Sequence, residues 1–173
     1  FLVLDDLKKQ GVIKGWGLGV NTTIPIELAL QLEQVHPTIS LQATQYTLLD
    51  HEDTLRRMMP EVEQSNSAIV VGAPYSSGAL LGGDHYNYGE IPGDVQIKIN
   101  KLTEVAESHG VSLKAAALQF STAHPAVAAV IPGSTRPDRI KEDLNALQET
   151  IPEAFWQELI EKQLISAVAP LPL

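Results

Sequence analysis

The residues best suited to chemistry in this sequence form an anion-binding pattern near its carboxyl end. Ser134 and Thr135 carry hydroxyl groups, and Arg136 and Arg139 carry fixed positive charge, between a short apolar run and a segment of helical period. Backbone N–H groups and the helix dipole favour a phosphate group at the start of a helix. The pattern predicts a phosphate site. The alternative is that Ser134 or Thr135 only caps the helix while both arginines are solvated.

Two other clusters combine residues that can donate protons, accept protons or stack on a ligand. Residues 51–53 (His-Glu-Asp) follow a predicted strand, although such clusters commonly cap helices. Residues 85–88 (His-Tyr-Asn-Tyr) lie in the long connection 74–94, where the tyrosines either contact a ligand or belong to a surface loop. No HExxH, GxSxG or P-loop motif occurs, and no metal site is expected. Three histidines beside prolines or a glycine are expected at the surface: His36, His109 and His124.

Composition narrows the classes of partner. The 173 residues carry a formal net charge of −9, so the long-range field disfavours nucleic acid and anionic membranes. Cysteine is absent, which excludes disulfides and thiol nucleophiles. No apolar run approaches the ~20 residues that cross a bilayer, and residues 1–6 lack a basic leader region. A cytoplasmic location is therefore expected.

The elements that must position these residues alternate between strands and helices. Apolar, β-branched runs at 12–20, 38–44, 68–73 and 126–131 predict four strands. Helical spacing predicts the intervening helices, and their expected inner faces are Ile24, Leu28, Gln31, Leu32 and Val35; Leu55, Met58, Met59 and Val62, with Pro60 interrupting; Val95, Ile99, Leu102 and Ala106; Leu113, Ala116, Ala117 and Phe120; and Ile140, Leu144 and Leu147. Thr23 and Ser112 are expected as caps, and Thr150 with Glu153 as a capping box for a last helix.

This order predicts an α/β fold built from right-handed parallel units. Four strand–helix units plus a C-terminal helix would make half of a (β/α)8 TIM barrel, with residues 1–166 as the half-barrel and 167–173 as an irregular tail. A half-barrel leaves an apolar face open to water, so it should pair with itself or with a missing N-terminal half. The alternative is an open α/β sandwich that closes on its own helices.

Three segments, in chain order, resemble the second half of an aldo-keto reductase: 7–21 (LKKQGVIKGWGLGVN), 70–81 (VVGAPYSSGALL) and 130–143 (VIPGSTRPDRIKED). They are similar to the fifth, seventh and eighth strands of that family's barrel with their following loops, and the sugar and pyridoxal dehydrogenase branch is the most similar. The resemblance implies NADP or NAD as cofactor. It assigns Asn21 to the nicotinamide carboxamide, Ser77 and Gly78 to the pyrophosphate, and a set to the adenosine phosphate end: Gly133, Ser134, Thr135, Arg136, Arg139 and Asp143.

The chain departs from the family pattern at the nicotinamide end. Gly72 stands where many members stack a tyrosine on the nicotinamide, so that platform is lost unless Tyr75 replaces it. Gln42 lies one residue from the position of the carboxamide-binding glutamine, and such a shift turns a strand residue to the other face. Gly133 stands where many NADP-using members have lysine, which leaves NAD and NADP equally compatible.

The family's catalytic tyrosine, lysine, aspartate and histidine belong to the first half of its barrel, so no catalytic residue is assigned in this chain. The leading hypothesis is the cofactor-binding half of an NAD(P)-dependent oxidoreductase acting on aldehyde, ketone or sugar-type carbonyls, with the isolated chain inactive. The alternative is a free-standing, non-catalytic half-barrel that self-associates and binds nucleotide weakly. A third hypothesis is a different enzyme that uses His51 or the tyrosine-rich loop.

Overall fold

The structure is a computed structural model that describes residues 1–172; Leu173, the last residue of the predicted tail, lies outside the described residues. Four strands form a parallel sheet in the order of the chain: β1 (Gly19–Val20), β2 (Ile39–Ala43), β3 (Ala68–Gly72) and β6 (Val127–Ile131). A small antiparallel hairpin, β4 (His85–Tyr86) and β5 (Gly89–Glu90), lies within the long connection.

Seven α-helices lie within the described residues: α1 (Leu2–Lys9), α2 (Ile24–Leu30), α3 (Met59–Gln64), α4 (Gly93–Ser108), α5 (Leu113–Thr122), α6 (Pro137–Ala146) and α7 (Glu153–Glu161). A π-helical turn (Thr54–Met58) precedes α3, which agrees with the interruption expected at Pro60. A 3-10 segment (Ser76–Leu81) follows β3. The predicted α/β class with parallel strand–helix units and a C-terminal helix is confirmed.

The two faces of the sheet differ in how they are covered. Residues alternate between the faces of a strand, and Ile69 and Val71 of β3 point into the helix-covered core, where both are fully buried. On the opposite face Ile39 and Ile131 remain exposed. An open sandwich would cover both faces, so the arrangement is that of a barrel segment with its inner face open. Among residues 1–172, no helix combines the length and apolar character that a membrane crossing requires.

The first strand is much shorter than the predicted 12–20. Regular pairing is limited to Gly19–Val20, although the amides of Thr38 and Leu41 donate to Trp16 O and Leu18 O, both at 2.7 Å. A Cβ at Gly17 would lie 1.6 Å from the backbone oxygen of Ile39. The glycines therefore permit a close backbone approach that regular side-chain alternation does not describe.

Most of the helix faces that make the core follow the predicted spacing. The four residues that mark the second predicted helix, around Pro60, are all buried, as are three of the four on α4 and three of the four on α5. The Ser112 hydroxyl caps α5 by accepting a hydrogen bond from Ala115 N at 3.3 Å. Gly110 ends the turn after α4 with a φ of +63°. Local spacing and caps were sufficient for these helices.

Two helices carry their apolar stripe on the side away from the core, so those two predictions were wrong. On α2, Ile24 and Leu28 are exposed while Ile26 and Leu30 are buried. On α6 the whole predicted face is exposed, namely Ile140, Leu144 and Leu147. In the chain, α2 follows the edge strand β1 and α6 follows the edge strand β6. The predicted capping box is also absent, because Pro152 is the N-cap of α7.

Candidate functional site

A cleft of about 1470 Å³ lies over the open sheet face at the carboxyl ends of β2, β3 and β6. Ala43, Gly72 and Ile131, the last residues of these strands, contribute to its lining. Of the nine residues predicted to contact a cofactor, six line this cleft: Ser77, Gly78, Gly133, Arg136, Arg139 and Asp143. Its lining, over the part of the chain that the structure describes, does not include Asn21, Ser134 or Thr135.

The turn after β3 has an unusual backbone. Ser76, Ser77 and Gly78 have consecutive φ values of 51°, 60° and 99°, a region that costs a non-glycine residue on the order of 1–3 kcal/mol. The buried Ser76 hydroxyl holds the turn through a 3.0 Å hydrogen bond with the Thr47 hydroxyl. A Cβ added at Gly78 would meet nothing within 4 Å. The φ of 99° at position 78 favours glycine, and the absent side chain leaves free space beside the cleft.

The segment after β6 forms the expected turn and helix, with one difference. The Ser134 hydroxyl donates to the backbone oxygen of Arg136 at 2.8 Å and accepts from its N–H at 3.3 Å. This serine closes the turn, whereas the N-cap of α6 is Arg136, which makes no side-chain capping bond. Pro137 has no N–H, and the N–H of Asp138 has no partner within the helix because it lies in the first turn. The start of α6 thus keeps a free donor.

The two arginines supply positive charge at this end of the cleft. Arg136 and Arg139 are both exposed, and neither guanidinium forms an ion pair with any residue that the structure describes. In a chain with a net charge of −9, two exposed arginines next to a helix N-terminus concentrate positive charge at this end of the cleft, and Asp138 in the first turn of α6 offsets part of it.

Asp143 lies in the wall of the cleft and is tied to two other elements. Its Oδ1 accepts a hydrogen bond from the Tyr75 hydroxyl at 2.6 Å, and Lys114 Nζ lies 2.8 Å from the same oxygen. Lys114 also contacts Glu142 Oε2 at 3.0 Å. Burial raises the pKa of Tyr75, and the hydrogen bond to Asp143 raises it further. Tyr75 is therefore a neutral donor at physiological pH, and it joins the turn after β3 to α6.

The nicotinamide end differs from the family pattern in the structure as well as in the sequence. Gln42 faces the helix-covered core, is fully buried and forms no hydrogen bond through either amide atom with any residue that the structure describes. Ala43 takes the cleft-facing position instead. Tyr75 lines the cleft, and its hydroxyl donates to Asp143 Oδ1 at 2.6 Å. Asn21 is exposed at the end of β1.

The hairpin in the long connection is fastened to the rest of the site at two points. The Tyr86 hydroxyl donates to the Asp50 carboxylate, 2.8 Å from both oxygens. The backbone N–H of Tyr88 donates to the Ser77 hydroxyl at 3.2 Å. The Tyr88 side chain remains exposed and lines the cleft. The connection is therefore an ordered border of the cleft, and Ser77 serves as one of its anchors.

His51 is buried and does not act as a free base. Its Nδ1–H donates to Thr47 O at 2.9 Å, and its Nε2 accepts from the Ser166 N–H at 3.0 Å. Burial lowers the pKa of His51 to about 4, and the charge of Lys98 acts in the same direction. Both ring nitrogens are occupied by backbone groups, so the imidazole connects the β2 exit to the C-terminal segment.

His124 and the other potential metal-ligating side chains lie outside the cleft or are dispersed over the described residues. His124 is buried, and its Nδ1 accepts a hydrogen bond from Ala126 N at 3.1 Å, so its predicted surface position was wrong. Within the described residues, no group of three His, Cys, Asp or Glu side chains is arranged to hold a metal ion.

Sequence reasoning missed two residues of the cleft wall, Tyr75 as a donor to Asp143 and Lys114 as its ion-pair partner. Tyr75 and Asp143 are 68 positions apart, and Lys114 lies in the first turn of α5, which local spacing marks only as a core helix. No local pattern links three such residues. Their proximity follows from the packing of α5 and α6 beside β6.

A cleft at the carboxyl ends of parallel strands, with anion-binding groups after the last two strands, is characteristic of enzymes and binding proteins of the (β/α) barrel class. The chain belongs to the aldo/keto reductase family, whose family model matches residues 1–163. It is similar to pyridoxal 4-dehydrogenase of Microbacterium luteolum, with 33% identity over 96% of this chain and 49% of that protein. It is also similar to D-threo-aldose 1-dehydrogenase of a Pseudomonas species, with 26% identity over 95% of this chain and 51% of that protein.

Solved structures show the same fold. An aldo-keto reductase from Bacillus halodurans superposes with a TM-score of 0.71 in its apo form and 0.72 in its holo form, at 23% and 24% identity. Each alignment covers 97% of this chain and 56% of the other. The sheet is thus a segment of the family's barrel, and the chain spans about half the length of the curated relatives that it matches.

Proposed function

We propose that this chain is the cofactor-binding half of an NAD(P)-dependent oxidoreductase that acts on aldehyde, ketone or sugar-type carbonyls. Family membership and the similarity to pyridoxal and aldose dehydrogenases support the reaction class. The single observation that carries the proposal is the cleft itself. It brings residues of the turn after β3 together with Arg136 and Arg139 of the segment after β6.

The residues of the cleft fit a dinucleotide at its phosphate end. Open space beside Gly78 and Gly133 admits a ligand close to the backbone, since a Cβ at either position would meet nothing within 4 Å. Arg136, Arg139 and the free N–H at the start of α6 are donors for phosphate oxygens. The nicotinamide group, when bound, supplies or accepts a hydride. This chain's contribution is to bind and orient the dinucleotide.

We further propose that the proton donor comes from a segment outside this sequence. The isolated chain is then a binding unit and not a complete catalyst. Asn21 remains the proposed carboxamide contact, and Ser134 and Thr135 remain proposed members of the phosphate segment, with Ser134 shaping its turn. A cytoplasmic location stays a prediction from the sequence.

Binding of NADH and NADPH to the purified 173-residue chain tests the proposal. We expect saturable quenching of protein fluorescence or a calorimetric isotherm, and Arg139→Ala should weaken binding about tenfold, since one charge-assisted contact contributes roughly 1.5–3 kcal/mol. Lys141→Ala is the matched control, because Lys141 is an exposed cation on the same helix and is not part of the cleft lining. Equal loss in both variants, or no binding at millimolar cofactor, contradicts the proposal.

A second candidate is a non-catalytic half-barrel that pairs with itself. The observation in its favour is the set of exposed apolar side chains beside both edge strands, among them Ile24 and Leu28 near β1 and Ile140 and Leu144 near β6. Burying such surface is favourable by roughly 25 cal/mol per Å². Either a second copy of the chain or the N-terminal half of a barrel would bury this apolar surface. Cofactor affinity, measured as above, separates a retained dinucleotide site from a purely self-associating fold.

A further inference from the structure

We infer that Tyr75, Asp143 and Lys114 are positioning residues that hold α6 at a fixed distance from the turn after β3, so that a ligand spanning both segments meets a preformed site. We call these three side chains the Asp143 link. The inference rests on the proposed function for its ligand, while the mechanical connection can be measured without one. It also gives Asp143 a role that acts through other residues, in place of a direct contact with adenosine.

The geometry of the Asp143 link uses one oxygen atom for two elements. Asp143 Oδ1 accepts from the Tyr75 hydroxyl at 2.6 Å and pairs with Lys114 Nζ at 2.8 Å. Tyr75 belongs to the turn after β3, Lys114 to the first turn of α5, and Asp143 to the middle of α6. All three are mostly shielded from solvent. A charge-assisted, shielded contact is stronger than an exposed ion pair, so the three elements are held together firmly.

The position of the link explains why it matters for a ligand. Ser77 and Gly78 lie two and three residues after Tyr75, and Arg139 lies one helical turn before Asp143. Tyr75, Lys114 and Asp143 themselves form the wall between these two groups of the cleft lining. A contact that fixes the distance between two half-sites lowers the ordering cost for a ligand that touches both. It has little influence on a ligand that touches only one.

Tyr75→Phe is the sharpest variant, because it removes one hydroxyl and keeps the ring. Tyr46→Phe is the matched control, since Tyr46 is also buried and its hydroxyl makes no hydrogen bond in the part of the chain that the structure describes. We expect Tyr75→Phe to weaken NADPH and NADH binding about tenfold and to change the affinity for adenosine 2′,5′-bisphosphate less than twofold. Equal weakening of dinucleotide and bisphosphate, or no weakening of either, overturns the inference.

Hydrogen exchange measures the connection in the absence of nucleotide. Amides of α6 and of residues 76–83 should exchange about tenfold faster in Tyr75→Phe and at the unchanged rate in Tyr46→Phe. Unchanged exchange in Tyr75→Phe overturns the Asp143 link. If the parent chain binds no dinucleotide, the proposed function fails, and the positioning role for a ligand fails with it. The exchange experiment is independent of that result, because it measures whether α6 and the turn after β3 are coupled when no ligand is present.

A second pair of substitutions covers the case in which Tyr75→Phe unfolds the chain. Asp143→Asn retains an oxygen that accepts from Tyr75, whereas Asp143→Ala removes it. We expect Asp143→Asn to bind the dinucleotide nearly as well as the parent chain does. Asp143→Ala should bind the dinucleotide more weakly, while its affinity for the bisphosphate stays nearly unchanged. If Asn and Ala behave alike, Asp143 does not act through the Tyr75 hydroxyl.

Discussion

At the residue scale, the site is defined by which polar side chains are already occupied. Asp143 Oδ1 and both ring nitrogens of His51 are engaged by other parts of the chain, Ser134 closes a turn, and Ser77 anchors the long connection. Arg136 and Arg139 are exposed and without ion-pair partners among the described residues, so they are the side chains left to meet a ligand. Gln42 is the opposite case, because it is fully buried and neither amide atom makes a hydrogen bond within residues 1–172.

Gln42 and Gln119 form a matched pair for a stability measurement. Gln42→Met replaces a buried, unbonded amide with an apolar side chain, and we expect the free energy of unfolding in urea to rise by about 1 kcal/mol. Gln119→Met should lower it by about 2 kcal/mol, because the Gln119 amide donates to Ala146 O and Glu149 O at 2.9 and 2.8 Å. A loss of stability in Gln42→Met would show that its amide has a partner that the contacts do not reveal.

At the scale of elements, backbone proximity decides the start of the sheet. The chain around Gly15 and Gly17 lies directly against the start of β2, and the Ile39 carbonyl occupies the space of a Gly17 side chain. The predicted nine-residue strand therefore has only two residues of regular pairing. The close approach of its backbone to β2 requires glycine, which interrupts the regular alternation of side chains. The same close approach positions Asn21 at the end of β1.

Gly17→Ala should destabilise the chain more than Gly19→Ala does. A Cβ at Gly17 would lie 1.6 Å from Ile39 O, whereas a Cβ at Gly19 would meet nothing within 4 Å. We expect Gly17→Ala to cost about 2 kcal/mol or more through displacement of the backbone, and Gly19→Ala to change stability by less than about 0.5 kcal/mol. Thermal or urea unfolding of both variants provides the comparison. Similar stabilities would contradict the close approach.

At the scale of the whole molecule, apolar side chains remain exposed on the open sheet face, at Ile39 and Ile131, and on the outer sides of α2 and α6. The core behind the sheet is well covered, with residues such as Phe120, Leu118 and Phe155 fully buried. By contrast, the apolar stripe of α6 faces water beside the edge strand β6. Exposed apolar side chains that lie together on a protein surface are a feature of interaction sites. We expect this stripe to be covered by a second copy of the chain or by the other half of a barrel.

Ile140→Lys tests whether the α6 stripe takes part in such an assembly. Ile97→Lys is its control, because Ile97 on α4 has nearly the same exposure, 58% against 60%. We expect the parent chain to self-associate in sedimentation velocity at micromolar concentration, and Ile140→Lys to shift it toward monomer by at least fivefold in dissociation constant. Ile97→Lys should leave the equilibrium unchanged. A monomeric parent chain, or equal effects of the two variants, argues against an interface at α6.

The sequence by itself determined the class of fold and the order of the main strands and helices, because these depend on local spacing, caps and turn residues. The core faces of α4 and α5 and the cap at Ser112 follow from such local rules. The tertiary structure decided which of these residues share a cleft, because Tyr75, Lys114 and Asp143 meet only through packing between distant segments. It also decided that the stripes on α2 and α6 face water, since periodicity identifies an apolar face without identifying what covers it.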